Sequence, residues 1–163
     1  MCGLTSIFAY RDGAPPVDRE ELLRIRDAMI NRGPDGSGLW VSNDLRIGLA
    51  HRRLAILDLS AAGAQPMSTP DGAVHIVFNG EIYNFRELRR DLEAKGYQFR
   101  SDSDTEVLLY LYQAHGRELV HKLRGMYAFA IYDARKQGMF LARDPFGIKP
   151  LYYADDGSTL RVA

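Results

Sequence analysis

A single cysteine, at position 2 of 163, constrains this chain more than any other residue. One thiol closes no internal disulfide and supplies too few ligands for a thiolate zinc site, so a stapled secreted scaffold and a zinc ribbon are both excluded. An apolar core has to hold the fold instead. Hydrophobic residues make up 46% of the sequence, and a chain of about 150 residues can bury around 70% of its unfolded surface. Lys and Arg number 21, as do Asp and Glu, for a formal net charge of zero. Nucleic-acid binders and membrane-surface proteins ordinarily need a basic excess, so neither partner class is expected. No apolar run approaches the roughly 18 residues of a membrane span, and the opening Met-Cys-Gly-Leu-Thr-Ser-Ile-Phe lacks the charged start of a signal peptide. One soluble domain in a reducing cytoplasm is the expectation.

Hydrophobic periodicity divides the chain without repeats or linkers. Leu4 to Tyr10 reads as a strand ended by Arg11-Asp12-Gly13-Ala14-Pro15-Pro16. Asp18 and Glu21 have capping-box spacing, and Leu22, Ile25, Arg26, Met29 and Ile30 recur at helical intervals until Gly33-Pro34. Leu39–Val41 and Leu45–Ala50 read as a hairpin through Ser42-Asn43-Asp44, with Leu54–Leu57 extending the sheet. Val74–Phe78 is a buried-strand pattern running into Asn79-Gly80, which predicts a sharp turn. Two helices follow, one capped by Asn84 and stopped at Lys95-Gly96, the other from Asp104 to about Ala114 with Val107, Leu108, Leu111 and Tyr112 inward. Gly125–Asp133, Gly138–Ala142, Leu151–Ala154 and Ser158–Val162 then predict an antiparallel meander. Strands, helices and strands in that order indicate an α+β fold of layered antiparallel sheets with flanking helices.

An isolated cysteine is usually a small buried hydrophobe, but the position of Cys2 gives it a second reading. Removal of Met1 would leave one residue bearing both a thiol and a free α-amine, whose pKa near 7.7–8.0 suits it to accept the thiol proton. N-terminal threonine nucleophiles use the same pairing. A Cys-His pair is the competing mechanism, and His51, His75, His115 and His121 are available, His51 alone beside a dense polar motif.

Six segments in order are characteristic: Met-Cys-Gly at the start, Arg32-Gly33-Pro34-Asp35, His51-Arg52-Arg53-Leu54-Ala55-Ile56, Asn79-Gly80-Glu81-Ile82-Tyr83-Asn84, Ser103-Asp104-Thr105-Glu106, and Arg143-Asp144-Pro145-Phe146-Gly147-Ile148-Lys149-Pro150-Leu151-Tyr152-Tyr153. Together they resemble the glutaminase domain of asparagine synthetases, a branch of the class II, N-terminal-nucleophile glutamine amidotransferases. The resemblance covers almost the whole chain and implies an αββα sandwich. It also implies hydrolysis of L-glutamine to glutamate and ammonia. Relatives making glucosamine phosphate or phosphoribosylamine fit less well, whereas β-lactam synthetases and other ATP-dependent amide-forming enzymes are poorly separated by this domain alone.

By this resemblance Cys2 attacks the side-chain carbonyl to give a γ-glutamyl thioester, with its α-amine moving the proton from thiol to ammonia. The Asn79 carboxamide and the Gly80 N–H would form the oxyanion hole; a turn needing positive φ is the other reading of that dipeptide. Arg53 would hold the substrate α-carboxylate through a planar bidentate contact, although Arg52 is not distinguished from it without the family pattern. Asp104 and Glu81 would answer the α-ammonium, Asp104 alternatively serving as a helix N-cap, while Leu54 and Ile56 line the pocket. Arg32 and Asp35 would brace the nucleophile loop, plain turn structure being the other reading, and Arg143 to Tyr153 is read mainly as scaffold. The resemblance implies no metal or cofactor for this domain. ATP and Mg²⁺ are expected only for a C-terminal synthetase domain, whose Ser-Gly-Gly-x-Asp-Ser loop is absent here, and a homodimer is left open. Residues 1–163 are therefore expected to be one glutaminase domain, cut before its last strands. A glutamine-binding module with an idle thiol is the non-enzymatic alternative.

Overall fold

The computed structural model describes residues 1–163. Two antiparallel sheets carry the architecture. The first has the order β2-β3-β1-β9-β8, formed by Gly36–Val41 (β2), Ile47–Arg53 (β3), Gly3–Ala9 (β1), Thr159–Val162 (β9) and Tyr153–Asp155 (β8). The second has the order β4-β5-β6-β7, formed by Met67–Ser68, Val74–Ile82, Gly125–Asp133 and Gly138–Arg143. Helix α1 (Arg19–Ala28) lies on the first sheet; α2 (Phe85–Glu93) and α3 (Asp104–His115) lie on the second.

Three apolar layers follow from strand alternation. In β5 the even residues Val74, Ile76, Phe78 and Ile82 join Leu88, Leu92, Val107, Leu108, Leu111 and Phe129 in the layer under α2 and α3. The odd residue Val77 points the other way and meets Leu4, Ile47, Leu49 and Val162 between the sheets. Ile7, Ala50 and Leu22 form the third layer, beneath α1. The result is an α-β-β-α stack. Since Asn79 and Glu81 share the odd parity of Val77, the same alternation turns them toward the start of β1.

Several expectations are corrected by pairing that lies far apart in sequence. Asn79-Gly80 is not a turn: β5 continues to Ile82, and Gly80 has no positive φ. Glycine is required there by crowding, because a Cβ would strike the Met126 carbonyl and come 2.8 Å from Tyr127 Cα. Leu54–Leu57 adds no strand; β1 begins at Gly3, which pairs with Arg52, so no partner strand remains beyond Arg53. The last four strands are not one meander. β6 and β7 stay with β5, while β9 crosses to pair with β1 through Ser6↔Val162 and Ala9↔Thr159. Helix α1 is capped by Asp18 but ends at Ala28 rather than running to Ile30. Glu21 takes Arg161 at 2.7 Å instead of completing a capping box.

Candidate active site

The ends of β1, β3 and β5, the start of α3 and two loops converge on a cavity of about 140 Å³, below the roughly 300–1,000 Å³ of a typical drug-sized site. Every expected site residue lines it: Cys2, Arg53, Leu54, Ile56, Asn79, Gly80, Glu81 and Asp104.

Cys2 immediately precedes β1, and its sulfur bridges toward the segment after β3. Leu54 N–H donates to Sγ at 3.3 Å, and the thiol reaches the Leu54 carbonyl at 3.6 Å. Burial raises the thiol pKa, opposed by the Leu54 hydrogen bond and by the nearby cationic chain terminus and Arg53. Arg32 Nε donates to the Cys2 carbonyl at 3.2 Å, and Asp35 accepts from Ala55 N–H at 2.9 Å. Between them Gly33 lies so close to the Arg52 carbonyl that a side chain would collide with it. The Arg-Gly-Pro-Asp motif therefore fastens both the nucleophile and the chain beside it.

No histidine serves the thiol. His51 lies fully buried between the sheets with Nε2 on the Phe78 carbonyl at 3.0 Å, and burial lowers its pKa to about 4, leaving it neutral. His75 is held by Ser68 Oγ at 2.6 Å and the Gly72 carbonyl at 2.9 Å, stacked on Trp40. His115 ends α3, and His121 is exposed. The Cys-His mechanism thus has no geometric support.

The β5–β6 ladder explains what Gly80 offers. Tyr83 N–H bonds the Arg124 carbonyl, and Ala134 N–H bonds the Ala73 carbonyl, so odd residues of β5 face β6 and even ones present N–H and C=O to the other edge. On that edge β4 covers only His75 and Ile76. Phe78 N–H is taken by Gln65 Oε1 at 2.7 Å and Ile82 N–H by Asp104 Oδ2 at 3.0 Å. The Gly80 N–H, midway between them, faces the cavity. Asn79 is only 4% exposed, yet its carboxamide bonds no protein group and borders the same space. Two uncommitted donors thus border the same cavity as Cys2, the residue just before β1.

Strand alternation also separates the two arginines. Arg52 turns to Asp27 of α1 at 2.6 Å, whereas Arg53 enters the cavity wall. Its Nη1 donates to the Ser60 carbonyl at 2.8 Å, and its Nη2 donates to the Asp58 carbonyl. Gly63 leaves room for this guanidinium, since a Cβ there would lie 2.5 Å from Nη2.

Asp104 is the first residue of α3 and 5% exposed. It is not the cap: Ser103 Oγ takes the Thr105 N–H at 3.2 Å, which leaves the carboxyl to accept from Ile82 and look into the cavity. Burial is the main cause that raises its pKa to about 7, with neighbouring Glu81 pushing the same way and the Ile82 N–H resisting. Glu81 is itself raised by burial and pulled back by Lys149. Leu54 and Ile56 form the outer wall, and Ile56 is 57% exposed.

Lys149 is the residue the sequence reading missed. Taken as scaffold, it is instead 4% exposed and lines the cavity. No carboxylate stands within ion-pair distance, and its Nζ contacts Met1 Sδ at 2.9 Å, a weak acceptor for an ammonium. Asp144 fixes the backbone there by accepting from the N–H groups of Phe146, Ile148 and Lys149. The Asp-Pro-x-Gly spacing was a turn signal, but only the tertiary fold turns the lysine inward. Gln65, Asp58, Ser103 and Thr105 were likewise not anticipated; they line the cavity from loops and a helix start without a periodic signature. No group of three or more acidic, histidine or cysteine side chains is arranged to hold a metal ion, and no helix is long and apolar enough to cross a membrane.

Comparison with known proteins agrees with this geometry. The family model described as "Glutamine amidotransferase domain" matches residues 1–163. Asparagine synthetase [glutamine-hydrolyzing] 1 of Bacillus subtilis is 49% identical over 154 residues, covering 94% of this chain and 24% of its own length. Amidase chry2 of Gibberella zeae is 40% identical over 171 residues, covering 100% of this chain and 25% of its own. The chain thus spans about a quarter of these relatives. Glutamine phosphoribosylpyrophosphate amidotransferase from B. subtilis superposes with a TM-score of 0.76 at 22% identity, over 98% of this chain and 41% of that one. That likeness supports the fold, the αββα sandwich of the N-terminal-nucleophile hydrolases. On the full-length family match and the close relatives, this chain belongs to the glutamine amidotransferase domain family.

Proposed function

We propose that this domain hydrolyses L-glutamine to glutamate and ammonia through a Cys2 thioester. The observation that carries the reading is the convergence on a single cavity of the Cys2 thiol, the two uncommitted donors of Asn79 and Gly80, the Arg53 guanidinium and the carboxyls of Asp104 and Glu81. After Met1 is removed, the Cys2 α-amine takes the thiol proton and the thiolate attacks the δ-carbonyl. The developing oxyanion receives the Asn79 carboxamide and the Gly80 N–H, donors of a kind worth about 10²–10³ in rate each. Protonated by the amine, ammonia departs and leaves a γ-glutamyl thioester that water cleaves. Arg53 takes the α-carboxylate, and Asp104 with Glu81 takes the α-ammonium, while Leu54 and Ile56 wall the aliphatic stem. Every group in this scheme comes from the chain, so the half-reaction uses no cofactor.

The ammonia goes to an amide-forming partner, and the names of the asparagine synthetase relatives favour asparagine as its product; on this reading the partner is a synthetase domain that uses ATP and Mg²⁺ to convert aspartate, in a cytoplasmic enzyme. The chry2 relative, named an amidase rather than an asparagine synthetase, keeps a different fate for the ammonia in view. The test is glutamate release from glutamine by the chain with Met1 removed, checked by intact mass, against its Cys2→Ala variant. Activity should vanish in the variant; undiminished release refutes the thioester.

A further inference from the structure

Asp58 sits in the loop after β3, in a stretch that the motifs leave without a role, and three of its oxygens are committed. Its backbone carbonyl accepts from Arg53 Nη2, its Oδ1 from Ser60 N–H at 2.7 Å, and its Oδ2 from Asp102 N–H at 2.9 Å. The Ser60 that it fixes gives its own carbonyl to Arg53 Nη1 at 2.8 Å. Asp102 lies two residues before Asp104, in a turn held by Glu106, which accepts from Ser101 N–H at 2.8 Å and Ser101 Oγ at 2.6 Å. One side chain therefore ties the arginine that meets a carboxylate to the segment presenting the acid that meets an ammonium. No other hydrogen bond joins the loop of residues 54–63 to residues 100–104.

The geometry points to Asp58 as the positioning residue that fixes the spacing and handedness of α-amino-acid recognition, an inference that rests on the substrate reading above. The carboxylate and ammonium of an amino acid leave the same carbon, so two anchors, together with the direction of the side chain toward Cys2, determine which enantiomer places its amide at the thiol. Anchors on separately mobile loops would tolerate both hands. Held by one carboxylate, they move together and select the L form. The Ser60 and Asp102 hydrogen bonds also lower the Asp58 pKa, Ser60 contributing most, so the tie persists at neutral pH.

Asp58→Asn preserves shape but turns an NH₂ group against one of the two N–H donors. The experiment measures calorimetric affinity for L- and D-glutamine in Cys2→Ala protein, with and without Asp58→Asn, alongside thermal melting of each. Loss of one charge-assisted hydrogen bond corresponds to about tenfold in affinity. Affinity for L-glutamine should fall about tenfold while that for D-glutamine changes little, so the L/D ratio collapses although both proteins melt cooperatively. Asp58→Ala should act in the same direction, and Asp58→Glu, whose carboxylate regains both donors, should restore part of the ratio. Equal weakening for both enantiomers, or an unchanged ratio, overturns the inference while leaving the substrate reading intact. Failure of Cys2→Ala protein to bind either enantiomer overturns the substrate reading and this inference with it.

Discussion

Replacing Asp104 with asparagine should stabilise the chain at alkaline pH and spoil its recognition of glutamine. In the folded protein the carboxyl is buried beside Glu81 and titrates at about 7, against an ordinary 3.8. Between these values the unfolded chain is ionised while the folded chain still holds the proton. The group's contribution to stability is therefore fully present below about pH 4 and is lost as pH rises through 7. Three orders of magnitude in proton affinity correspond to about 4 kcal/mol at most, since water entering the cavity reduces it. Asparagine keeps an oxygen for the Ile82 N–H but never ionises. In urea titrations the gain of Asp104→Asn over the parent should be larger at pH 8 than at pH 5, by up to roughly 3 kcal/mol. An equal difference at both pH values refutes the assignment. The same protonation makes binding measurable from the other side. A ligand ammonium favours the ionised carboxylate, so glutamine binding near pH 7 should release a fraction of a proton, detectable as a buffer-dependent enthalpy that Asp104→Asn abolishes.

Gly80→Ala should lower stability by about 1–3 kcal/mol, the usual range for overpacking, because its Cβ meets the Met126 carbonyl; a chemical denaturation midpoint equal to the parent's would remove the close-approach argument. His51 is neutral when folded and titrates at about 4 rather than 6.5, so it stabilises fully above pH 6.5 and progressively less on acidification to pH 4. A His51→Gln variant should flatten that stretch of the stability–pH curve, and an unchanged slope speaks against it. Lys149→Met removes the cation that draws the Glu81 pKa down. The acid limb of KM for glutamine should then move to higher pH, and a pH profile identical to the parent's would show that Lys149 does not act on Glu81.

Much of this site was legible because its chemistry lies in contiguous motifs. Cys2, Arg53, Asn79, Gly80, Glu81 and Asp104 are each flanked by residues whose spacing marks a family, and they meet in one cavity. The misreadings share one cause, namely that local patterns do not specify the distant partner. Asn-Gly favours turns in isolation, yet here Tyr127 across the ladder decides that Gly80 is extended. Asp104 and Ser103 are both good caps, and the choice between them follows from the Ile82 N–H, 22 residues upstream. The closing strands alternate alike, but β9 finds its place beside β1, some 150 residues earlier. Lys149 was invisible because charge in a turn normally means solvent, and only the fold shows that this side chain is buried against the cavity.

The short β4 has a further consequence. An uncovered strand edge is ordinarily a hazard, since its row of unpaired amides can template another chain and seed aggregation. A two-residue neighbour covers little of the nine-residue β5, but Gln65 and Asp104 block the amides on either side of Gly80. With a single rung left open, an incoming strand finds no continuous register, whereas the oxyanion of the proposed reaction would meet one free amide. A flaw of sheet architecture has been narrowed until only a substrate-sized opening remains.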